Sequence, residues 1–435
     1  MYRNIMEELI KWKQNKERKP LILRGARQVG KTYIIKQFGK ENYDGVAYFN
    51  FDHDIALQNM FENTKDPKSI LEQLAFVYGK EIVPEKTLIV FDEIQECPNA
   101  LNALKYFKEE ANEYHIISAG SLLGIRLSHT SFPVGKVEFL NMYPMTFTEF
   151  LKADGQSNLV DYMNSIQDIN NIPDIFFNKL EEKLKSYFII GGMPEVIQSW
   201  ITYKDMERVN KIQEDILQSY ESDFSKHTTS IEANRISIIW NSIPSQIARE
   251  NKKFLYQAAK NGARAREYED AVNWLKDANV VNKIYNVTKP NMPLIAYNDL
   301  SSFKLYLNDV GLLRKKTNLS SRVIIEGDTL FQEFKGALTE NYVLQTLVAN
   351  GLEPYYYTFD NRYEIDFIMQ YQNEIIPIEV KAGKSLNNTS LKVYNEIHKP
   401  NIRIRFSMNN LNKDDNLINI PLFMAEYVKK FIEMQ

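Results

Sequence analysis

The sequence predicts an α/β fold, and three patterns indicate this class. Short apolar runs alternate with helical stretches over the first 150 residues, a glycine-rich turn joins one such run to a helix, and a long helix precedes strands near the C-terminus. Alternation of strand and helix is typical of a parallel sheet that helices cover on both faces. The strands predicted for this sheet span residues 20–24, 46–51, 87–91 and 115–119.

The composition is that of a folded protein with several domains. Of 435 residues, 44% are hydrophobic and 25% are charged, which are ordinary values for a packed chain and exclude a disordered one. A chain of this length predicts about two to four domains. The formal net charge of −3 excludes a uniformly basic nucleic-acid coat but is compatible with a local basic patch.

Two further features concern the compartment. Cys97 is the single cysteine, which allows no internal disulfide and fits a reducing environment. The sequence has no apolar run near the roughly 18 residues that are needed to span a bilayer, and its first 20 residues contain no apolar signal core. We therefore expect a cytoplasmic protein without a membrane partner.

The turn between the first strand and its helix fits a phosphate-binding loop. Residues 25–32 (GARQVGKT) match G-x-x-x-x-G-K-[ST] at every position. The glycines let backbone N–H groups turn toward phosphates, Lys31 supplies a charge for the β- and γ-phosphates, and the Thr32 hydroxyl can ligate Mg²⁺. The predicted nucleotide-binding residues are Gly25, Ala26, Arg27, Gln28, Val29, Gly30, Lys31, Thr32 and Tyr33.

A second acidic element follows about 60 residues later. The apolar strand 87–91 ends in Asp92 and Glu93. Asp92 is predicted to hold the Mg²⁺ coordination shell, and Glu93 is predicted to orient and deprotonate an attacking water as a catalytic residue alongside Lys31. The next strand, 115–119, runs into Gly120 and Ser121, and Ser118 and Ser121 are both candidates for a contact with the γ-phosphate.

Six segments together resemble the prokaryotic AAA-type P-loop ATPases that carry a C-terminal domain of uncharacterised function. They are residues 24–32 (RGARQVGKT), 91–95 (FDEIQ), 119–123 (AGSLL), 143–150 (YPMTFTEF), 191–195 (GGMPE) and 304–313 (KLYLNDVGLL). The resemblance implies a P-loop NTPase core over 1–150, a helical lid over 151–225, a winged-helix-like domain over 226–320 and a nuclease-like α/β domain over 321–435. It also implies ATP and Mg²⁺ as cofactors. The sequence does not give the source of an arginine finger, for which Arg126 is only a candidate.

The middle segment has the order of a winged helix. Helical stretches at 236–248, 251–260 and 268–277 precede an apolar, β-branched run. From Arg249 to Arg266 there are six basic residues and one acid, Glu250, and Arg264 and Arg266 come just before the third helix. A DNA-binding surface explains this patch, and so does a solvated charged face or a domain interface.

The C-terminal part predicts a hairpin that brings two carboxylates together. If Gln372 and Asn373 form a two-residue turn, Tyr371 pairs with Glu374 and Asp366 faces Glu379, with about 5 Å between their Cβ atoms. Lys381 then projects from the same face as Glu379. The same register predicts one apolar face that contains Tyr363, Ile365, Phe367, Met369, Ile376, Ile378 and Val380.

Two opposed carboxylates attract a divalent metal, and Lys381 can steady a phosphate or the attacking hydroxide. The set resembles the PD-(D/E)xK nuclease motif, with catalytic Asp366, Glu379 and Lys381 and a further acidic metal ligand, Glu340, in the helix 338–347. The proline of that motif is absent, since Ile365 precedes the aspartate. The alternative is an amphipathic hairpin whose polar face meets solvent.

The function predicted from these patterns is Mg²⁺-dependent binding and hydrolysis of ATP, coupled to a DNA-directed, nuclease-like C-terminal module. The alternative is a regulatory ATPase switch that binds DNA or a protein partner and cleaves neither. The sequence leaves the oligomeric state open.

Overall fold

The computed structural model describes residues 1–52, 54–120, 135–226, 228–249, 252–326, 332–360, 362–384 and 389–435. It divides into two compact units, one of residues 1–143 with 277–279 and the other of residues 144–276 with 280–435. Among the described helices, none is both long and apolar enough to cross a membrane.

The first unit is an α/β domain around a five-stranded parallel sheet. Its sheet has the order β2-β3-β4-β1-β5, and the four strands predicted from the sequence are all present. The fifth strand was missed, because its sequence EFLN has no apolar run. The elements are α1 (Ile5–Gln14), β1 (Leu21–Arg24), α2 (Lys31–Asn42), β2 (Gly45–Asn50), α3 (Ile55–Asn63), α4 (Pro67–Tyr78), β3 (Thr87–Asp92), α5 (Pro98–Glu110), β4 (His115–Ala119) and β5 (Glu138–Asn141).

The central strands of this unit have continuous apolar sequences because they lie in its core. All six residues of β3 and all five of β4 are buried, as expected for strands that are covered on both faces. One face packs through Ile22, Phe49 and Phe91 against a cluster from α3, α4 and α5. The carboxyl ends of β1 and β3 therefore meet at one fixed edge, which positions the loop after β1 beside Asp92.

The second unit begins with helices. They are α6 (Phe147–Ala153), α7 (Ser157–Ser165), α8 (Asp174–Ile190), α9 (Pro194–Tyr203), α10 (Met206–Asp223), α11 (Ser230–Ile247), α12 (Tyr256–Ala259) and α13 (Ala265–Asp277). The last three match the predicted helix order of the middle segment, although α12 is only four residues long and Pro244 lies inside α11. A proline removes one helical hydrogen bond but is compatible with a helix whose other contacts hold it.

An eight-stranded mixed sheet fills the rest of this unit, in the order β12-β13-β11-β10-β9-β8-β6-β7. The two strands at the other end of this order, β6 and β7, come from the predicted middle segment. The predicted boundary at residue 320 therefore falls within one continuous sheet. The elements are β6 (Val281–Val287), β7 (Asn298–Leu307), α14 (Val310–Lys316), α15 (Ser321–Glu326), α16 (Gln332–Ala349), β8 (Pro354–Phe359), β9 (Tyr363–Tyr371), β10 (Glu374–Val380), α17 (Thr389–His398), β11 (Arg403–Ser407), β12 (Asn412–Asp414), β13 (Leu417–Pro421) and α18 (Val428–Glu433).

The hairpin register is confirmed, but the predicted single apolar face is wrong. Tyr371 pairs with Glu374, and Phe367 pairs with Ile378. The pairing with β8 shifts by one residue within β9, because Tyr355 pairs with Ile368 whereas Tyr357 pairs with Ile365. This bulge breaks the alternation, so Ile365 and Ile368 join the same cluster while the Phe367 ring approaches Tyr306. The strand is buried on both faces, which alternation alone does not describe.

A glycine turn between α8 and α9 is tied to the start of α14. The Asp309 carboxylate accepts the N–H of Leu312 at 2.9 Å, as an N-cap, and the N–H of Gly192 at 2.6 Å. Gly191 has a φ of +76°, and a Cβ there would lie 2.2 Å from Asp309 Oδ1. Two of the segments that carry the family resemblance, GGMPE and KLYLNDVGLL, therefore form one packed junction.

Candidate functional site

The phosphate loop connects the end of β1 to the first turn of α2. Its backbone has left-handed φ values at Gln28 (66°) and Gly30 (96°), and Gly25 has a φ of 152°. A Cβ on Gly25 would lie 2.2 Å from the Met142 carbonyl oxygen, so only glycine fits at this position. Gly30 is the N-cap of α2, which directs the free N–H groups of the first turn toward the loop.

Lys31 is the buried cation of this loop. Its Nζ donates to the carbonyl oxygens of Gly25 at 2.8 Å and Ala26 at 2.9 Å. Burial lowers the pKa of Lys31 to about 8, although the carboxylates of Glu93 and Asp92 act in the opposite direction. An anionic phosphate at the loop would add a stronger acceptor for the same ammonium group.

Thr32 and Asp92, the two residues predicted to share a magnesium ion, are in direct contact. Thr32 Oγ1 donates to Asp92 Oδ2 at 2.8 Å, and the Tyr48 hydroxyl donates to the same oxygen at 2.5 Å. A hydroxyl and a carboxylate are hard oxygen donors, which is the ligand chemistry that Mg²⁺ prefers. Burial and the neighbouring Asp92 raise the pKa of Tyr48, so it stays a donor. Sequence reasoning missed Tyr48, because a tyrosine on β2 carries no motif.

Glu93 lies directly after β3 in a left-handed conformation, with a φ of 50°. This turn lifts Glu93 out of the strand, while its N–H donates to Asp92 Oδ1 at 3.1 Å. The side-chain amide of Gln95 donates to Glu93 Oε2. Glu93 is half-buried, so its carboxylate is held in place and still reaches solvent. Gln95 was part of a recognised segment but had no predicted role.

The remaining predicted loop residues divide by exposure. Ala26 and Val29 are buried, Arg27 and Gln28 are exposed, and Tyr33 is 58% exposed at the start of α2. Arg3 is a further residue that the sequence did not predict. The buried Arg3 donates to the Val29 carbonyl at 2.9 Å and to the Tyr143 carbonyl at 2.6 Å, which supports the loop from outside.

The two serines proposed for the γ-phosphate have different outcomes. Ser118 is in register with Phe91 and Ile22, both of which belong to the apolar cluster, so it lies on the sheet face opposite Asp92. Its buried Oγ has no hydrogen-bond partner. The structure therefore does not place Ser118 toward the phosphate loop. Ser121 and the candidate arginine finger Arg126 lie outside the described residues.

The predicted carboxylates of the second unit form a buried cluster with lysines. Asp366 Oδ2 accepts the N–H of Val380 at 2.7 Å, next to Glu379. Lys381 Nζ lies 2.5 Å from Glu379 Oε1, as expected for two residues on one face of β10. The other carboxylate oxygen, Oε2 of Glu379, is buried without a hydrogen-bond partner.

Glu340 reaches the cluster from α16. Its carboxylate accepts the Tyr306 hydroxyl at 3.1 Å and forms an ion pair with Lys252. A further pair joins the fully buried Lys304 of β7 to Glu364 at 2.5 Å. Sequence reasoning assigned no role to Lys252, Lys304 or Glu364. The sequence does distinguish Lys304, since it is a lysine within the run FKLYL that ends β7.

The electrostatics of the cluster follow from its burial. Burial raises the pKa of Asp366 well above its usual range, and the negative charges of Glu379 and Glu340 add to this effect. Burial also raises the pKa of Glu379, in part offset by Lys381. Burial alone would lower the pKa of Lys252, but the carboxylates of Glu340 and Asp366 outweigh it, so the pKa is raised. Burial thus disfavours the ionised forms of Asp366 and Glu379 unless a cation lies beside them.

The chemistry of these carboxylates fits a divalent cation, and the orphaned Glu379 oxygen is a ready ligand atom. Over the residues that the structure describes, however, no three His, Cys, Asp or Glu side chains are arranged to hold a metal ion. Glu340 and Glu379 each pair with a lysine ammonium group instead. The predicted ligand set of Asp366, Glu379 and Glu340 is brought together but in a lysine-bound arrangement.

The basic patch of the middle segment is exposed. Arg264 and Arg266 lie at the start of α13, as predicted. The following residues of this helix include Glu267, Glu269 and Asp270, of which the latter two are exposed. The positive charge is therefore local to the helix N-terminus.

Three family models match separate parts of the chain. An AAA domain matches residues 17–151, a domain of unknown function (DUF8612) matches residues 181–323, and another (DUF4143) matches residues 335–423. Residues 17–151 are thus similar to AAA domains. This confirms the expected AAA-type core and the expected C-terminal domain of unknown function, whereas the nuclease-like character of that domain stays a prediction.

One curated relative, the "Uncharacterized protein MJ1637" of Methanocaldococcus jannaschii, is 25% identical over 227 residues, which are 48% of this chain and 45% of the relative. The chain therefore spans less than half of that protein. Similar solved structures include the Walker-type ATPase PABY2304 of Pyrococcus abyssi, with a TM-score of 0.46 and 14% identity over 72% of this chain and 95% of that chain.

Two others are the RuvB branch migration motor of Thermotoga maritima (TM-score 0.32, 14% identity, 64% of this chain and 88% of that chain) and the Orc1 protein of Aeropyrum pernix in complex with DNA (TM-score 0.28, 10% identity, 72% and 90%). All of these scores are below 0.5, and they identify no partner for this chain.

Proposed function

We propose that the first unit binds ATP with Mg²⁺ and hydrolyses it to ADP. The observation that carries this proposal is the contact of Thr32 Oγ1 with Asp92 Oδ2 at 2.8 Å, directly after the buried Lys31 of the phosphate loop. Lys31 and the N–H groups of the loop would bind the phosphates, and Thr32 and Asp92 would hold Mg²⁺. The ion, when bound, neutralises charge on the phosphate oxygens.

Glu93 is the proposed base for the attacking water. Its left-handed backbone and the Gln95 amide fix a half-buried carboxylate beside the Asp92 site. A carboxylate in this position can orient a water and accept its proton. The role of Gln95 is to keep one oxygen of Glu93 in place while the other faces the water.

The test separates binding from hydrolysis. Lys31→Ala is expected to lose ATP affinity, because it removes a buried phosphate contact. Glu93→Gln is expected to bind ATP as well as the wild type and to hydrolyse it at least about 100-fold more slowly, because only the base is lost. Lys40→Ala, an exposed position on the same helix, serves as the control and should change neither quantity. Equal hydrolysis by Glu93→Gln and the wild type would remove Glu93 from this role.

For the second unit we propose a metal-dependent site that acts on a phosphodiester of DNA, coupled to the nucleotide cycle. The observation that favours it is the convergence of Asp366, Glu379 and Lys381, with one buried Glu379 oxygen unpaired. Asp366, Glu379 and Glu340 would hold the cation, and Lys381 would steady a phosphate oxygen. The bound cation would lower the pKa of a water and polarise the phosphate.

The competing proposal is a regulatory switch that uses the same fold to bind DNA or a protein without cleaving it. The lysine-bound arrangement of Glu340 and Glu379 favours this reading. Purified full-length protein should be incubated with duplex DNA, single-stranded DNA and RNA, with Mg²⁺ or Mn²⁺ and with or without ATP. Cleavage that disappears in Asp366→Asn supports the nuclease. Absence of cleavage under all conditions, with ATP hydrolysis intact, supports the switch.

A further inference from the structure

The carboxylate cluster already contains cations of its own. Four acids (Glu340, Glu364, Asp366 and Glu379) face three lysines (Lys252, Lys304 and Lys381) through ion pairs and through the charge effects on Asp366. With every acid ionised, four negative charges face these three lysines, and the Arg405 guanidinium also acts on Glu379, so the cluster is close to neutral. A divalent cation would therefore make the buried cluster positive unless one lysine leaves, and an uncompensated buried charge is costly.

The three lysines differ in how firmly they are held. Lys304 lies within β7, is fully buried and packs against the Tyr356 ring at 4.5 Å. Lys381 lies two residues after Glu379, and its pairing is internal to β10 and the residue that follows it. Lys252 instead comes from the irregular stretch between α11 and α12, and its side chain is 15% exposed.

Two residues that follow Lys252 are held by hydrogen bonds of their backbone N–H groups. Phe254 donates its N–H to the Phe303 carbonyl at 2.7 Å, and Leu255 donates its N–H to Gln246 Oε1 at 3.0 Å. Lys252 extends from these anchors into the cluster and pairs with Glu340. It is thus the lysine that can leave without breaking a strand.

We infer that Lys252 is a built-in cation that competes with a divalent metal for Glu340 and Asp366, and so keeps the cluster in a metal-free state until the 252–255 stretch moves. This inference rests on the proposed metal-dependent function of the second unit. It is compatible with both proposals for that unit, the metal-dependent nuclease and the non-cleaving switch. The same carboxylates would form a structural cluster when they pair with lysines and a metal site when Lys252 leaves. Movement of the middle segment would then control metal entry.

The test measures Mn²⁺ binding to the full-length protein by electron paramagnetic resonance and by the metal-induced shift in thermal midpoint. Binding that is lost in Asp366→Asn is assigned to the cluster, which separates it from the phosphate loop. Lys252→Gln removes the charge but keeps a donor for Glu340, and it should tighten this binding about tenfold or more. Lys252→Arg keeps the charge and should behave as the wild type, and so should Lys260→Gln, an exposed control in the same segment.

Three outcomes decide between the possibilities. Tighter binding in Lys252→Gln but in neither control supports the inference. Unchanged or weaker binding in Lys252→Gln, with the Asp366-dependent site still detected, overturns the inference and leaves the metal site standing. No Asp366-dependent Mn²⁺ binding in any variant overturns both. Because a buried charge is removed, circular dichroism must show that Lys252→Gln is folded, and Lys252→Met provides a second uncharged variant.

Discussion

At the scale of single residues, both sites depend on buried charges that are fixed by tertiary neighbours. Lys31 is held by two carbonyls of its own loop, whereas Asp366 is surrounded by other acids and by lysines from distant parts of the chain. The first arrangement is local and follows from the loop sequence. The second is not, because Lys252 and Lys304 are more than 60 residues from Asp366 along the chain.

The raised pKa of Asp366 gives a pH-dependent prediction about stability. The folded state binds this proton more tightly than the unfolded state, so the contribution to stability is present at low pH and is lost as pH rises through the folded pKa. Asp366→Asn is neutral at every pH and can still accept the Val380 N–H. We expect its free energy of unfolding to exceed that of the wild type at pH 8 by on the order of 1 kcal/mol, and the difference to shrink toward pH 5.

Urea unfolding at the two pH values measures this difference, in metal-free buffer. Glu396→Gln, an exposed acid on α17, is the control and should show no such trend. A variant that is equally destabilised at both pH values would indicate that the carboxylate is a structural hydrogen-bond partner without charge repulsion.

At the scale of elements, the sequence predicted the parts whose pattern is local. The phosphate loop, strands β1 to β4 and the register of the β9–β10 hairpin follow from motif spacing and turn length. The bulge in β9 could not be predicted, since it depends on pairing with β8. Nor could the contacts of Arg3 and Tyr48 around the phosphate loop, because they join residues that are far apart in the chain. Gln95 lies in the same segment as Glu93, but the segment alone does not indicate their contact.

The junction of Gly191 with Asp309 allows a matched test of packing at this scale. Gly191→Ala would place a Cβ 2.2 Å from Asp309 Oδ1, and Asp309 cannot move because it holds two backbone N–H groups. Gly155→Ala has a similar φ, +73° against +76°, but its Cβ would meet no atom within 4 Å. Both variants have the cost of a positive φ, roughly 1 kcal/mol. Gly191 also has a ψ of −169°, a region that essentially only glycine adopts, so Gly191→Ala adds both this backbone strain and the clash.

We therefore expect Gly191→Ala to lose about 2 kcal/mol or more of unfolding free energy beyond Gly155→Ala. Chemical denaturation of both variants measures the difference. Equal losses would show that the junction relaxes around the added methyl group and that the glycine is needed for its backbone conformation alone.

At the scale of the whole molecule, the eight-stranded sheet unites segments that the sequence divides. Strands β6 and β7 follow the three helices of the middle segment, and β6 pairs with β8 at Asn286 and Tyr356. The helices that carry Arg264 and Arg266 and the hairpin that carries Asp366 are therefore parts of one compact unit. A ligand that displaces the middle helices would act on the same unit that holds the carboxylate cluster.

The overall net charge of −3 means that any DNA binding must come from a local surface, and Arg264 and Arg266 are the candidates. Reversing both to Glu should weaken duplex binding for all sequences alike and reduce the slope of log K against log salt by about 2, because phosphate contacts carry no sequence information. Lys40→Glu with Lys80→Glu changes the net charge by the same amount at exposed positions of the first unit, and this double variant is the control.

Fluorescence anisotropy at several salt concentrations measures DNA binding by both double variants. Equal weakening by the two pairs would show that binding follows net charge and that Arg264 and Arg266 form no DNA surface, whereas loss confined to the arginine pair would locate the contact at the start of α13.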